Sequence, residues 1–170
     1  MMFTKIDPKE IQENVFSMIG EQWMLITAGT KEKCGTMTAS WGGLGVLWGE
    51  PVATVYIRPQ RYTREFVENG GYFTLAFFGP EYRQALNLCG TKSGREIDKV
   101  KACGFTVEEG AGGAPYFAQA DLVLVCRKVY WQDMDPDHFL DPDIEKHYAQ
   151  HDYHRIYIGE IVEVLKRIEN

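Results

Sequence analysis

The chain has little from which to build a disulfide framework, a metal centre or a membrane span. Among its 170 residues are four cysteines, Cys34, Cys89, Cys103 and Cys126. No two form a C-x-x-C pair, which excludes a zinc ribbon and a thioredoxin-type redox motif. In a reducing compartment such thiols stay free and act mainly as small apolar residues. Cys34 stands just ahead of a hydroxyl-rich run and is placed to approach a ligand held there. No apolar run approaches the roughly 20 residues that cross a bilayer, and residues 1–10 lack the apolar core of a secretory signal, so a cytoplasmic protein with no membrane association is expected. Excess positive charge is also missing. Lys and Arg total 18 against 24 Asp and Glu, a net charge of −6, the reverse of the basic footprint of a nucleic-acid binder. Residues 110–113 contain glycines but lack the strand-glycine-helix order of a dinucleotide fingerprint.

What is present suits one soluble domain spanning residues 1–170. The composition is 45% hydrophobic and 25% charged, ordinary for a globular protein with a core of its own. Residues 11–18 predict a short helix and residues 23–30 a first strand, with residues 31–33 as the turn into the next. Residues 72–78 predict a strand broken by Gly79 and Pro80. A helix is expected over residues 81–89 with Gly90 as its C-cap, then a second opened by a capping box from Ser93 to Glu96 and closed by Gly104. Residues 120–131 read as the longest strand and residues 155–166 as the last. Strands outnumber helices without βαβ alternation, which favours an antiparallel barrel over a Rossmann fold.

Two segments carry the chemistry. In Thr36, Met37, Thr38, Ala39, Ser40 and Trp41, hydroxyls alternate with apolar residues at the period of an extended strand. Small side chains leave the backbone accessible, so this strand suits the polar edge of a flat ring such as an isoalloxazine. The same pattern also fits an amphipathic strand whose hydroxyls face water. One strand later, residues 52–57 are β-branched and aromatic and run into Arg58, Pro59, Gln60, Arg61, Tyr62 and Thr63. Thr63 reads as the N-cap of a helix over residues 64–69. Two guanidiniums, a hydroxyl and a helix start suit a phosphate, although a solvated basic loop has the same composition. Together the two segments suggest a mononucleotide cofactor.

These motifs, residues 36–48, Pro51 and residues 56–63, resemble the flavin reductase-like proteins with an FMN-binding split β-barrel, within them the flavoredoxin-type branch. The resemblance covers about residues 20–166. It implies a mainly β, Greek-key split barrel with a few peripheral short helices, a homodimer, and FMN held non-covalently near the subunit interface. It also implies NADH or NADPH as electron donor, or a redox partner protein. Thr36, Met37, Thr38, Ala39, Ser40 and Trp41 would then contact the ring, and Arg58, Gln60, Arg61, Tyr62 and Thr63 the phosphate. Ser93, Gly94, Arg95 and Asp98 would close the site, though a capped surface helix explains those four as well. Gly35 stands where many relatives carry Asn, and Tyr153 where an Asp is common.

Three histidines, His147, His151 and His154, lie near one another in a polar, proline-punctuated excursion. His147 and His151 would share a face of a helix, and neighbouring carboxylates would suit zinc or iron. Such residues are also common in a solvated loop, and no metal is expected. The resemblance instead assigns His154 to the flavin rim or the nicotinamide, as the one candidate catalytic side chain. Since the flavin carries the chemistry, no catalytic triad is needed. The expected activity moves electrons from a reduced nicotinamide to FMN and on to an acceptor. The other readings are a carrier docking its partner on acidic residues 133–152, a non-catalytic FMN-binding module, and a pyridoxal-phosphate-related oxidase. The last lacks a second basic set for its substrate.

Overall fold

The computed structural model of the chain describes residues 2–168. Among these the strands are β1 (Phe3–Ile6), β2 (Met24–Gly29), β3 (Cys34–Ala39), β4 (Gly42–Leu47), β5 (Glu50–Ile57), β6 (Tyr72–Phe77), β7 (Val107–Glu109), β8 (Pro115–Phe117), β9 (Leu122–Asp133) and β10 (Arg155–Arg167). The helices are α1 (Val15–Ser17), α2 (Thr63–Asn69), α3 (Arg83–Thr91) and α4 (Lys99–Cys103). The main sheet runs β3-β2-β6-β9-β10-β5-β4, β1 adds along β10, and β7 with β8 forms a separate ribbon.

The two ends of that sheet, β3 and β4, are joined by Ser40 and Trp41 alone. The sheet must therefore roll until its edges meet at this corner, as antiparallel sheets do when they close. The seam between β3 and β4 carries no ladder, which makes the barrel split. Neighbours distant in sequence, β2 with β6 and β5 with β10, give Greek-key connectivity. The hairpin from β4 to β5 turns on Trp48 and Gly49, both at positive φ, as a tight two-residue hairpin demands.

Strand alternation feeds two cores. Met24, Ile26, Met37, Val55, Ile57, Phe73, Leu75, Leu124 and Tyr157 fill the barrel interior. The opposite faces supply Leu25, Ala76, Val123 and Val125, which pack with Leu86 and Cys89 of α3 and with Phe105 and Phe117. Burial on both faces explains why β2 is mostly apolar along its length rather than alternating, with the buried Thr27 its one polar side chain.

The strands fall close to the sequence expectation, with corrections. The longest is β10, with 13 residues against 12 in β9. The first helix is confined to Val15–Ser17, because Asn14 caps it through bonds to the amides of Phe16 and Ser17, and a wider turn follows over Met18–Gln22. Thr63 does not cap α2: it is the first helical residue, buried, after Tyr62. Gly90 lies inside α3, where Thr38 packs against it, and Lys92 ends the helix. The second helix begins later than expected. Ser93 accepts from the amide of Arg95 in a turn, and Asp98 caps α4 by accepting from Lys101 N at 3.0 Å. Gly104 closes α4 at φ +66° as expected. His147 and His151 share no helix face, since His147 ends a 3₁₀ turn over Pro142–His147 and His151 lies beyond it at positive φ.

Candidate functional site

The end of β3 is an edge, and its backbone decides what it can offer. The Thr36 carbonyl accepts from Lys99 Nζ at 2.8 Å, so the main-chain groups of Thr36 point away from β2. By the alternation of antiparallel pairing, those of Thr38 do the same. Two of the three hydroxyls in this row are already engaged. Thr36 Oγ1 pairs with Thr27 Oγ1 at 2.9 Å, and Thr38 Oγ1 donates to the carbonyl of Leu86 in α3. Met37 points the other way, into the barrel. The strand therefore presents a backbone edge at Thr38, with the small Ala39 and Ser40 and the ring of Trp41 beyond it.

Residues 37–41 line a slot of about 170 Å³ with Tyr56, Arg58, Arg61 and His154. It shares Met37, Arg58 and Arg61 with a polar cleft of about 420 Å³, whose walls include Gln60, Tyr62, Thr63, Ser93, Gly94, Lys99 and Asp152. On the far side, Ser40, Trp41, Tyr56 and His154 also border an open, mostly apolar groove of about 620 Å³. A second cleft, of about 440 Å³, lies beside the polar one and takes in Cys34, Gly35, Thr36, Arg95 and Asp98.

The polar cleft gathers cations. Lys99 is buried, and its ammonium donates to the carbonyls of Thr36 and Cys89 at 2.8 and 2.7 Å. Burial chiefly lowers its pKa, and Arg61 adds to this. Arg61 donates to the Gly90 carbonyl at 2.8 Å and is likewise pushed down by burial, then by Arg58. Arg58 bonds to Asp152 at 2.8 Å and to the His147 carbonyl at 2.9 Å, with its guanidinium over the Tyr148 ring. Asp152 is the one carboxylate among the lining residues of this cleft. Its Oδ2 also accepts from Gln60 at 2.7 Å, and these bonds, Gln60 first, hold its pKa below the ordinary value. Its Oδ1 is buried with no partner. Four cations, Lys92 among them, against one anion, with an unmet acceptor beside them, fit a group carrying both a phosphate and hydroxyl donors.

His154 occupies the junction of slot and groove. It is 6% exposed, its Nδ1 lies 2.8 Å from Tyr148 Oη, and its ring packs against Trp41 at 5.4 Å. Burial first, then the charge of Arg58, pull its pKa down to about 4, with Asp152 opposing. The ring is therefore neutral at neutral pH. Tyr148 Oη also donates to Met134 Sδ at 3.2 Å, and which partner donates across the Tyr148–His154 contact follows the tautomer of the ring.

Slot and polar cleft thus bring together Met37, Thr38, Ala39, Ser40, Trp41, Arg58, Gln60, Arg61, Tyr62, Thr63, Ser93, Gly94 and His154. Thr36, Arg95 and Asp98 stand apart, in the neighbouring cleft. Arg95 is tied to Glu65 and lies over the Tyr62 ring at 4.6 Å, while Asp98 is spent as the cap of α4. Cys34 is half-buried in that same cleft, its thiol pushed up to about 11 by burial, then by Asp98. Gly35 is explained by Phe66, whose ring would come within 2.4 Å of a Cβ there. Sequence reasoning missed Asp152, Tyr56 and Tyr148 as lining or supporting groups. The acidic excursion is partly consumed: Asp133 pairs with Arg155, Glu145 accepts from Tyr153, and Asp152 turns inward. No group of metal-ligating side chains occurs among the described residues, and no helix among them is long and apolar enough to cross a membrane.

The sequence profile described as the flavin reductase like domain matches residues 16–169. No curated protein matches the chain at a significant level. Among solved structures, the FMN-binding domain of a flavin reductases-like enzyme from Shewanella baltica superimposes with a TM-score of 0.70 at 20% identity, over 97% of this chain and 77% of that one. A flavoredoxin from Methanosarcina acetivorans gives 0.67 at 24% identity, over 95% and 76%. An NADH:FAD oxidoreductase from Streptomyces globisporus, in complex with NAD and FAD fragments, gives 0.64 at 16% identity, over 86% and 74%.

Proposed function

The chain belongs to the flavin reductase-like domain family, and from that premise we infer that it binds FMN non-covalently and moves electrons from NADH or NADPH through the flavin to an acceptor. The observation that carries this reading is the convergence of Arg58, Arg61 and Lys99 on one cleft, continuous with the slot at the edge of β3, in a chain of net charge −6. Arg58, Arg61 and Lys99 hold the phosphate, and Asp152 Oδ1 accepts from a ribityl hydroxyl. The outward backbone groups of Thr38 meet the polar edge of the ring, with Ala39, Ser40 and Trp41 beside it.

When bound, FMN supplies the hydride acceptor, and the protein contributes position and electrostatics. Trp41 and Tyr56 border the apolar groove and keep water from the ring. The groove is wide enough to admit a nicotinamide to one face, as direct transfer between reactants about 3–3.5 Å apart requires. His154, neutral, lines the slot without carrying a charge into it. The Streptomyces structure, holding NAD and FAD fragments on this fold, supports a nicotinamide as donor. The exposed Val46, Trp48 and Phe16, at 77%, 65% and 88% exposure, suit coverage by a second copy of the chain, and a homodimer is part of the proposal.

The test is the absorbance spectrum of the purified protein with FMN, before and after anaerobic NADH or NADPH. A perturbed flavin spectrum that bleaches within seconds is the expected result. A perturbed spectrum that persists makes the protein a carrier or binding module, and an unchanged spectrum removes the proposal.

A further inference from the structure

Cys89 and Cys103, fourteen positions apart, place their sulfurs 3.8 Å from each other across the contact between α3 and α4. Cys89 is fully buried, and Cys103, the last residue of α4, is half-exposed. A disulfide needs an S–S distance of about 2.05 Å, so closure requires the sulfurs to approach by a little under about 2 Å. The stretch between them carries the rim of both polar clefts: Gly90, Ser93 and Gly94, and then Lys99, whose ammonium bonds back to the Cys89 carbonyl at 2.7 Å. Lys92 and Arg95 on this stretch are exposed.

We propose that Cys89 and Cys103 form a dithiol that hydrogen peroxide closes into a disulfide, tying together the two ends of the segment that rims the polar clefts. Cys103, the accessible thiol, reacts first. Its thiolate attacks one peroxide oxygen, the O–O bond breaks, and the departing hydroxide takes up a proton to leave as water, giving a sulfenic acid. The Cys89 sulfur then displaces the hydroxyl from Cys103, and the Cys89 proton leaves with that hydroxyl as a second water. Two thiols and one peroxide give one disulfide and two waters. The sulfurs lose two electrons, and the peroxide oxygens gain them. Both thiols are shifted upward, chiefly by burial, while the Lys99 charge draws each of them back down, so closure is slow at neutral pH and faster in mild alkali. In the cell, peroxide would come from reduced flavin meeting oxygen. That source alone rests on the proposed function, and the test below uses added peroxide.

The test is peroxide treatment of the full chain at mildly alkaline pH, alkylation of the remaining thiols, intact mass and peptide mapping. The expected result is loss of two hydrogen masses, a cross-link joining Cys89 to Cys103, and severalfold slower tryptic cleavage after Lys92 and Arg95. Cys103→Ser should show no mass loss, and Cys89→Ser should instead accumulate oxygen on Cys103 that a sulfenic-acid trap captures. Retention of both free thiols under excess peroxide, or a cross-link to Cys34 or Cys126 instead, overturns the proposal. Unchanged cleavage after Lys92 and Arg95 in the cross-linked chain overturns the claimed restraint of the rim. None of these readouts requires FMN to bind.

Discussion

Tyr148 Oη lies 2.8 Å from His154 Nδ1, and this contact orients the imidazole at the slot. The tyrosine comes from the loop after a 3₁₀ turn and the histidine from the residue before β10, so the orientation of the side chain at the slot depends on the otherwise irregular excursion.

Burial and Arg58 hold the His154 pKa down to about 4, against an ordinary value of 6.5. Between those pH values the unfolded chain binds a proton that the folded chain refuses. Stability should therefore be intact above about 6.5, fall as pH drops through this window, and level off below about 4. The full gap corresponds to about 3 kcal/mol. Urea unfolding at stepped pH should show this limb, and His154→Gln should lack it. Superimposable profiles would contradict the assignment of a buried neutral ring.

Arg61 and Arg95 resemble each other in sequence but not in place. Arg61→Ala should weaken FMN binding at least tenfold, about 1.4 kcal/mol, because it removes a cation from the cleft. Arg95→Ala should change it less than about twofold, since an exposed pair such as Arg95 with Glu65 contributes little. Flavin fluorescence titration measures both, and equal losses would mean that the phosphate lies in the neighbouring cleft.

Gly35→Ala should destabilise the fold by about 1–3 kcal/mol, the usual cost of overpacking, because the new Cβ would lie 2.4 Å from Phe66 Cδ2. Phe66→Leu in the same chain should restore part of the loss. If denaturant midpoints stay unchanged, Phe66 is not what fills this space.

Lys99→Met keeps the unbranched stem but not the ammonium and removes both of its hydrogen bonds, leaving the carbonyls of Thr36 and Cys89 without their buried donor. A loss of about 1–3 kcal/mol is expected in chemical unfolding, together with weaker FMN binding. Full stability with weaker binding would show that the lysine serves the ligand alone.

The strands and the course of the two candidate segments were legible because their signals are local. Alternation places Thr36, Thr38 and Ser40, and Pro59 ends the strand that delivers Arg58 and Arg61. The partners of those groups were not legible. Nothing in the order of residues says that Thr38 will give its hydroxyl to Leu86, or that Thr36 will meet Thr27 in the core. Helix ends failed for the same reason: Gly90 looks like a cap in one dimension and is a packing surface for Thr38 in three. The burial of Lys99 and the inward turn of Asp152 were hidden because a buried charge is recognised by its surroundings, which come from α3, β3 and the loop after β5.

β10 pairs with β9 along nearly its whole length, with β5 over its first half and with β1 over its last residues. The residue ahead of it is His154. A ligand pressing on that ring therefore pulls on the strand most widely shared in the sheet. Local opening of a sheet strand requires breaking the ladders on both sides. Occupancy of the slot should thus be legible far from it, as slowed amide exchange where Lys5 and Ile6 meet Leu165 and Val164, and the N-terminal strand becomes a reporter for a site it never touches.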